Sequence, residues 1–237
     1  MNTKASHEHT GHHLQSSDLI RDIIIGMSDG LTVPFALAAG LSGAMSSTAL
    51  IVTAGIAAIA AGSITMGLGG YLAGKTETDH YNSEFKREQE EVAKLPQRER
   101  EEVKVFFSNL GLSEDVQQQA VEELTKDKDK WVGFMMKYEL GLDKPDEKRA
   151  RKSAFNISIS YLIGGIIPLS PYFFVPDVIS GLKISAFITL ICLFVFGYSK
   201  SRITGVNALG GGLRIMLIGA IAAACAFGIA RLIEGMY

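Results

Sequence analysis

Between Gly30 and Gly74 the chain carries no charged residue, and a single carboxylate, Asp29, stands just before that run. A hydrocarbon core takes roughly 20 apolar residues per helical crossing. The run is therefore long enough for two crossings joined by a tight turn at 42–48 (SGAMSST), with Arg21 and Asp22 opening the first and Lys75 closing the second. Asp29 then falls about two turns inside the first crossing. A carboxylate at that depth costs on the order of 2.5–3.5 kcal/mol on insertion scales and usually faces a bundle interior or a watery path, so ion passage is its first reading. The alternative is an Asp near the headgroups that caps a helix broken at Gly30 and Pro34.

The remaining charge is sharply partitioned. Of 25 acidic residues, 19 fall between Thr76 and Lys152, with 15 of the 23 basic ones, so a net charge of −2 hides a polar insert between nearly uncharged flanks. Three apolar stretches follow it: 153–176, 178–199 with Lys183 near one end, and 207–233 with Arg214 about two turns from its start. The expected fold is all-α, an integral membrane protein with five transmembrane helices and a three-helix insert between the second and third. A His-containing tail over 1–17 is expected to be disordered. Transmembrane helices 1 and 2 occupy 18–75, the insert 76–152 and helices 3–5 the span 153–237. Lys and Arg crowd 148–152 and the 4–5 connection (Lys200, Arg202), whereas the 3–4 connection PLSPYFFVPD has none. The positive-inside rule turns the N-terminus, the insert and the 4–5 loop to the cytoplasm. Cys192 and Cys225 lie in apolar runs and read as packing residues. No cleavable leader is expected, because the N-terminus carries His and Glu in place of a basic region. His-rich tracts bind transition metals, but nothing in the tail fixes the geometry of its imidazoles.

Within the insert, helical signals are punctuated by Pro96, Gly111 and Gly141. The second crossing continues as helix through Lys94, and Pro96 suits the start of a helix over 97–109 that Gly111 ends. Ser113 can cap the next helix, through 125, and a last one runs over 129–140. Glu88 and Glu91 are three apart, as are Glu99 and Glu102, so each pair shares one helix face. The Pro96 turn lets the pairs face each other across an antiparallel hairpin, and the last helix adds Met135, Met136 and Glu139. Bundles build metal sites from carboxylates on facing helices. Carboxylates suit Mn²⁺, Mg²⁺ and ferrous iron, while thioethers tilt a site toward softer transition metals. On spacing alone a metal site and a charged, solvated bundle both stand. Met66, in a second crossing rich in small residues, reads as packing before it reads as a soft ligand.

The segments RDIIIGMSDGLTVPFALAAGLS, AAGSITMGLGGYLAGKTE, IPLSPY and GYSKSRITG, in this order and with the charged insert in between, closely resemble the vacuolar iron transporter family. The resemblance implies a homodimer that moves ferrous iron out of the cytosol in exchange for protons. It implies a path at the dimer interface lined by the carboxylate of the SDG motif, Asp29, and the methionine of the SxMG motif, Met66. It also implies a cytoplasmic metal-binding domain whose ligands are Glu88, Glu91, Glu99, Glu102, Met135, Met136 and Glu139. One position departs: Ala58 stands where family members commonly carry Glu in an AEIAAG context, which bears on proton coupling, rate and ion choice.

The leading expectation is thus a transporter of Fe²⁺, with Mn²⁺, Zn²⁺, Co²⁺ and Ni²⁺ as further divalent ions. Its partners are protons, the lipid bilayer and a second copy of the chain; no prosthetic group and no nucleic acid are expected. A bacterial cytoplasmic membrane and a eukaryotic vacuolar membrane both fit. A membrane-anchored metal buffer or sensor is the alternative. A di-iron enzyme is disfavoured because no His falls within the Glu88/Glu91 and Glu99/Glu102 pairs, His80 lying only at the start of that helix's charged part.

Overall fold

The computed structural model describes the backbone of residues 5–236, with side chains over 18–236. The expected tail over 1–17 lies outside the fully described residues. The elements are α1 (Ala5–Ala44), α2 (Thr48–Lys94), α3 (Pro96–Asn109), α4 (Glu114–Leu124), α5 (Lys128–Tyr138), α6 (Arg149–Leu169), α7 (Pro171–Phe174), α8 (Val178–Ile203) and α9 (Ala208–Glu234). No strand occurs among the described residues. The chain divides into two compact units, 1–71 with 150–237 and 72–149. The division falls inside α2, so one helix of 47 residues contributes to both.

Four helices among the described residues are long and apolar enough to cross a membrane: Asp18–Ala44, Thr48–Lys94, Val178–Ile203 and Ala208–Glu234. The sequence suggests five. The difference is α6, which has 21 residues, opens on Arg149, Arg151 and Lys152, and turns serines and a tyrosine inward. Ser153, Ser160 and Tyr161 are buried, while Phe155, Ile159, Ile163 and Ile166 form an exposed apolar stripe. Inward polar groups lower the average hydropathy of a helix without making its outer face polar.

Those inward groups clasp the neighbouring helices. Ser153 Oγ and Asn156 Nδ2 donate to the Asp22 carboxylate of α1 at 3.0 and 3.3 Å. Ser158 Oγ donates to the Ser63 carbonyl of α2 at 3.0 Å, and Ser63 Oγ returns a bond of 3.2 Å to the Ser158 carbonyl. Backbones approach closely where side chains are absent: a Cβ at Gly164 would lie 3.0 Å from the Leu31 nitrogen and 3.1 Å from the Met27 carbonyl oxygen. α1 passes unbroken through Gly30 and Pro34. Asp29 is therefore a mid-helix residue, not a cap.

The uncharged stretch 153–176 is not one helix. α6 ends at Leu169 and a four-residue α7 follows, because Pro171 has no N–H to continue the ladder. Ser185 Oγ donates to the Pro168 carbonyl at this break, at 2.6 Å. Tyr172 of α7 is pinned inside, its hydroxyl 2.9 Å from Ser42 Oγ, which donates to the Ala38 carbonyl.

The second unit packs α3, α4 and α5 on the C-terminal part of α2 around Val92, Val103, Val121, Trp131, Val132, Met135 and Met136. Asp127 caps α5 by accepting from the Asp129 and Lys130 amides, which fixes the helix that carries the methionines. Ser113 has the extended backbone of a cap before α4 but makes no capping hydrogen bond.

A Cβ at Gly69 would meet nothing within 4 Å. Gly164→Ala should therefore destabilise the detergent-solubilised chain by about 1–3 kcal/mol through overpacking. Gly69→Ala should leave it unchanged or slightly stabilised in the same thermal-unfolding measurement.

Candidate metal centre

The α2–α3 hairpin is closed by Leu95 and Pro96, with Pro96 at the first position of α3. That turn folds α3 back along α2 and brings Glu88 and Glu91 opposite Glu99 and Glu102. Glu139 joins them from the C-terminal end of α5, where it is the cap residue. Two triads result. Carboxylate oxygens of Glu88, Glu91 and Glu99 lie within 4.8 Å of one another, as do those of Glu99, Glu102 and Glu139. Glu99 belongs to both.

The burial is graded. Glu88 and Glu99 are each 1% exposed, Glu91 and Glu102 are half-buried, and Glu139 is exposed. At the rim, Arg98 Nε lies 3.1 Å from Glu102, and Arg87 Nε lies 3.8 Å from Glu91. The buried pair has no cation beside it, and one oxygen of each, Glu88 Oε1 and Glu99 Oε2, lacks a hydrogen bond. Buried charge without a partner is strongly disfavoured, and the carboxyl groups answer by holding protons. Burial, then the charges of Glu139 and Glu99, push Glu88 from its ordinary 4.5 up to about 8. Glu99 is raised by burial and by Glu102, while a hydrogen bond with Glu88 partly relieves it. Burial and the charges of Glu102, Glu99 and Glu91 raise Glu139.

A divalent cation would suit this donor set. It would replace the shared protons, satisfy the orphaned oxygens and neutralise crowded charge, and oxygen-rich sites of this kind suit hard and borderline divalent ions. Both expected thioethers are 1% exposed. Met136 packs in the apolar core. Met135 belongs to the same core and also lines a cleft of about 300 Å³ with Glu102, Glu139, Phe106 and Tyr138.

In the other unit Asp29 and Met66 are half-buried, on α1 and α2. Tyr161 of α6 is buried against both helices, its backbone against Gly30 and its hydroxyl against Gly62, and it lies within electrostatic reach of Asp29. Asp22, which in sequence only opens the first crossing, is part of this interior. It is 1% exposed, and its separation of seven residues from Asp29 places the two carboxylates on one helix face. That spacing was the available signal.

Fold and cluster define a class: a multi-pass helical membrane protein carrying a separate helical unit with a buried carboxylate cluster suited to metal. The chain belongs to the VIT family, whose model matches residues 20–231. It is 50% identical over 226 residues to vacuolar iron transporter 1 of Arabidopsis thaliana, covering 95% of this chain and 90% of the relative. It is 49% identical to vacuolar iron transporter 1 of Tulipa gesneriana, covering 97% and 93%. Protein CCC1 of Saccharomyces cerevisiae is 38% identical over 91% of this chain and 69% of its own length.

The cluster makes stability respond to pH with a definite sign. Between about 4.5 and about 8 the folded chain holds a proton at Glu88 that the unfolded chain has released. The contribution of Glu88 to stability without metal is therefore fully present below about 4.5 and is lost as pH rises through that window. Saturating Mn²⁺ should reverse the trend, since binding requires deprotonated carboxylates. Trp131, the single tryptophan, is buried in this unit and reports its unfolding by fluorescence. Glu88→Gln should flatten the slope in both conditions.

Proposed function

We propose that the protein carries ferrous iron out of the cytosol in exchange for protons, as a homodimer in a vacuolar or bacterial cytoplasmic membrane. Mn²⁺ and other divalent transition ions are further cargo. The reading rests above all on one conjunction. A carboxylate cluster with buried, unpartnered oxygens occurs in the same chain as Asp29, held mid-helix in a membrane-length segment. That chain is 50% identical to a protein named as a vacuolar iron transporter.

In this reading the unit 72–149 faces the cytoplasm and captures the ion, with Glu88, Glu91, Glu99, Glu102, Met135, Met136 and Glu139 as ligands. α6 is the fifth crossing: its exposed Phe155, Ile159, Ile163 and Ile166 face lipid while its polar side serves the bundle. Asp29 and Met66 line the path. A transition ion leaving water needs ligands that offset its lost hydration; a carboxylate supplies charge and can exchange a proton, and a thioether favours softer ions. Two-fold symmetry would double Asp29 about one axis.

Ala58 favours a second reading, a membrane-anchored metal buffer or sensor, because it removes a carboxylate that the family resemblance leads one to expect on the path. Iron flux into sealed proteoliposomes carrying an internal pH indicator separates the two. Transport predicts metal uptake with matching proton movement, and a buffer predicts binding without flux.

Asp29→Asn should retain the folded protein and stop metal-driven proton movement at matched incorporation. Met66→Ala should lower iron flux and shift preference toward Mn²⁺. Wild-type iron flux by Asp29→Asn would move the path elsewhere. Glu102→Ala with Glu139→Ala should weaken metal binding in calorimetry and lower uptake at scarce iron more than at saturating iron. Loss of flux at saturating iron with the fold intact would refute capture as the role of the cluster.

A further inference from the structure

The first turns of α3 alternate in charge: Arg98, Glu99, Arg100, Glu101 and Glu102 follow one another. Residues three or four apart share a helix face, so the face that carries Glu102 also carries Arg98. Its Nε donates to Glu102 Oε1 at 3.1 Å, and its charge reaches Glu99 and Glu91 as well. Arg98 thus faces three of the five clustered carboxylates. The neighbouring arginines are engaged differently. Arg100 lies over the Trp131 ring, 5.9 Å from its centroid. Arg87 is drawn to Glu84, outside the cluster, at 2.6 Å and stands 3.8 Å from Glu91.

Glu102 belongs to the triad with Glu99 and Glu139 and lines the cleft beside Glu139 and Met135. It stands where the cluster gives way to solvent: its side chain is 33% exposed, whereas Glu99 is buried. The side chain of Arg98 is 67% exposed. An exposed pair of this kind is weakly held, because fixing two long side chains costs entropy and water screens their attraction. It gives way readily to a stronger partner.

A divalent ion is such a partner. It offers Glu102 twice the charge of the guanidinium, whereas a monovalent ion offers no more than is already there. A carboxylate cannot serve the arginine and a divalent ion equally, because the two cations then repel one another at short range. Ligation by Glu102 therefore works against its bond to Arg98.

We propose that Arg98 is the resident counter-cation of the cluster: it holds Glu102 in the empty site and yields that carboxylate when a divalent ion binds. The inference rests on the reading of the cluster as a capture site. Arg98 acts through Glu102 and is a positioning residue, not a ligand. Its effect is to weaken the site, so that the cluster fills only above a threshold of free ion and releases what it has captured more readily.

The test titrates Mn²⁺ into the full detergent-solubilised chain and its variants by calorimetry, with the fluorescence of buried Trp131 as the check on folding. Arg98→Gln should tighten Mn²⁺ binding roughly fivefold, the ceiling for release from an exposed pair, and the gain should shrink as salt rises. Arg98→Lys, which keeps the charge, should stay near the wild type. Arg100→Gln removes the same charge two positions on and should change affinity far less. Glu102→Gln leaves the triad of Glu88, Glu91 and Glu99, and in that background Arg98→Gln should add little, because the arginine acts through Glu102. Unchanged or weaker Mn²⁺ binding by Arg98→Gln overturns the inference. An equal gain from Arg100→Gln, or a gain that survives in the Glu102→Gln background, overturns it too, since any lost positive charge would then do the same. Absence of Mn²⁺ binding by the wild type would instead refute the capture reading on which the inference rests.

Discussion

A carboxylate removed from water must find a donor, a proton or a cation, and the three kinds of answer organise this molecule. Asp22 finds donors. Ser153 and Asn156 bond it from α6, and this clasp joins the first helix to the one that follows the polar unit in sequence. Glu88 and Glu99 find each other, and burial pushes both carboxyls up, Glu88 to about 8. The outer carboxylates find cations, Arg98 at Glu102 and Arg87 at Glu91. Proton retention is the solution most sensitive to pH, because it is lost once the pH passes the raised value of the group.

The same constraint explains the character of α6. Helices in lipid satisfy their own backbone, so their side chains are free to place polarity wherever a partner waits. α6 uses that freedom on its inner face, bonding Asp22 and Ser63, and keeps an apolar outer stripe of Phe155, Ile159, Ile163 and Ile166. Close backbone approach at Gly164 and Gly30 brings α6 near enough to α1 to make those bonds. An average over its length cannot separate the two faces.

The cluster was legible to the extent that helical spacing is a local property. Three-residue separations put Glu88 with Glu91 and Glu99 with Glu102, and Pro96 marked the turn between them. What spacing left open was which carboxylates are buried. That depends on the core of Val92, Val103, Trp131 and Met135 beneath them, built from helices far apart in sequence. The sharing of Glu99 between two triads has the same origin, since it needs α5 to present Glu139. Asp22 escaped notice because a charged residue near the start of an apolar run ordinarily looks like its solvent boundary. Only the presence of Ser153 and Asn156 opposite it shows that it is inside.

The sequence by itself determined the helices: where apolar runs begin and end, where proline and glycine interrupt them, and which residues share a helix face. Those follow from backbone hydrogen bonding and side-chain periodicity within a few turns of chain. The tertiary structure decided the partners, giving Asp22 its donors, leaving Glu88 and Glu99 without any but each other, and leaving Arg214 exposed among apolar side chains. A charge takes its energy from what surrounds it in space, and for each of these groups much of the surroundings comes from elsewhere in the chain or from the bilayer.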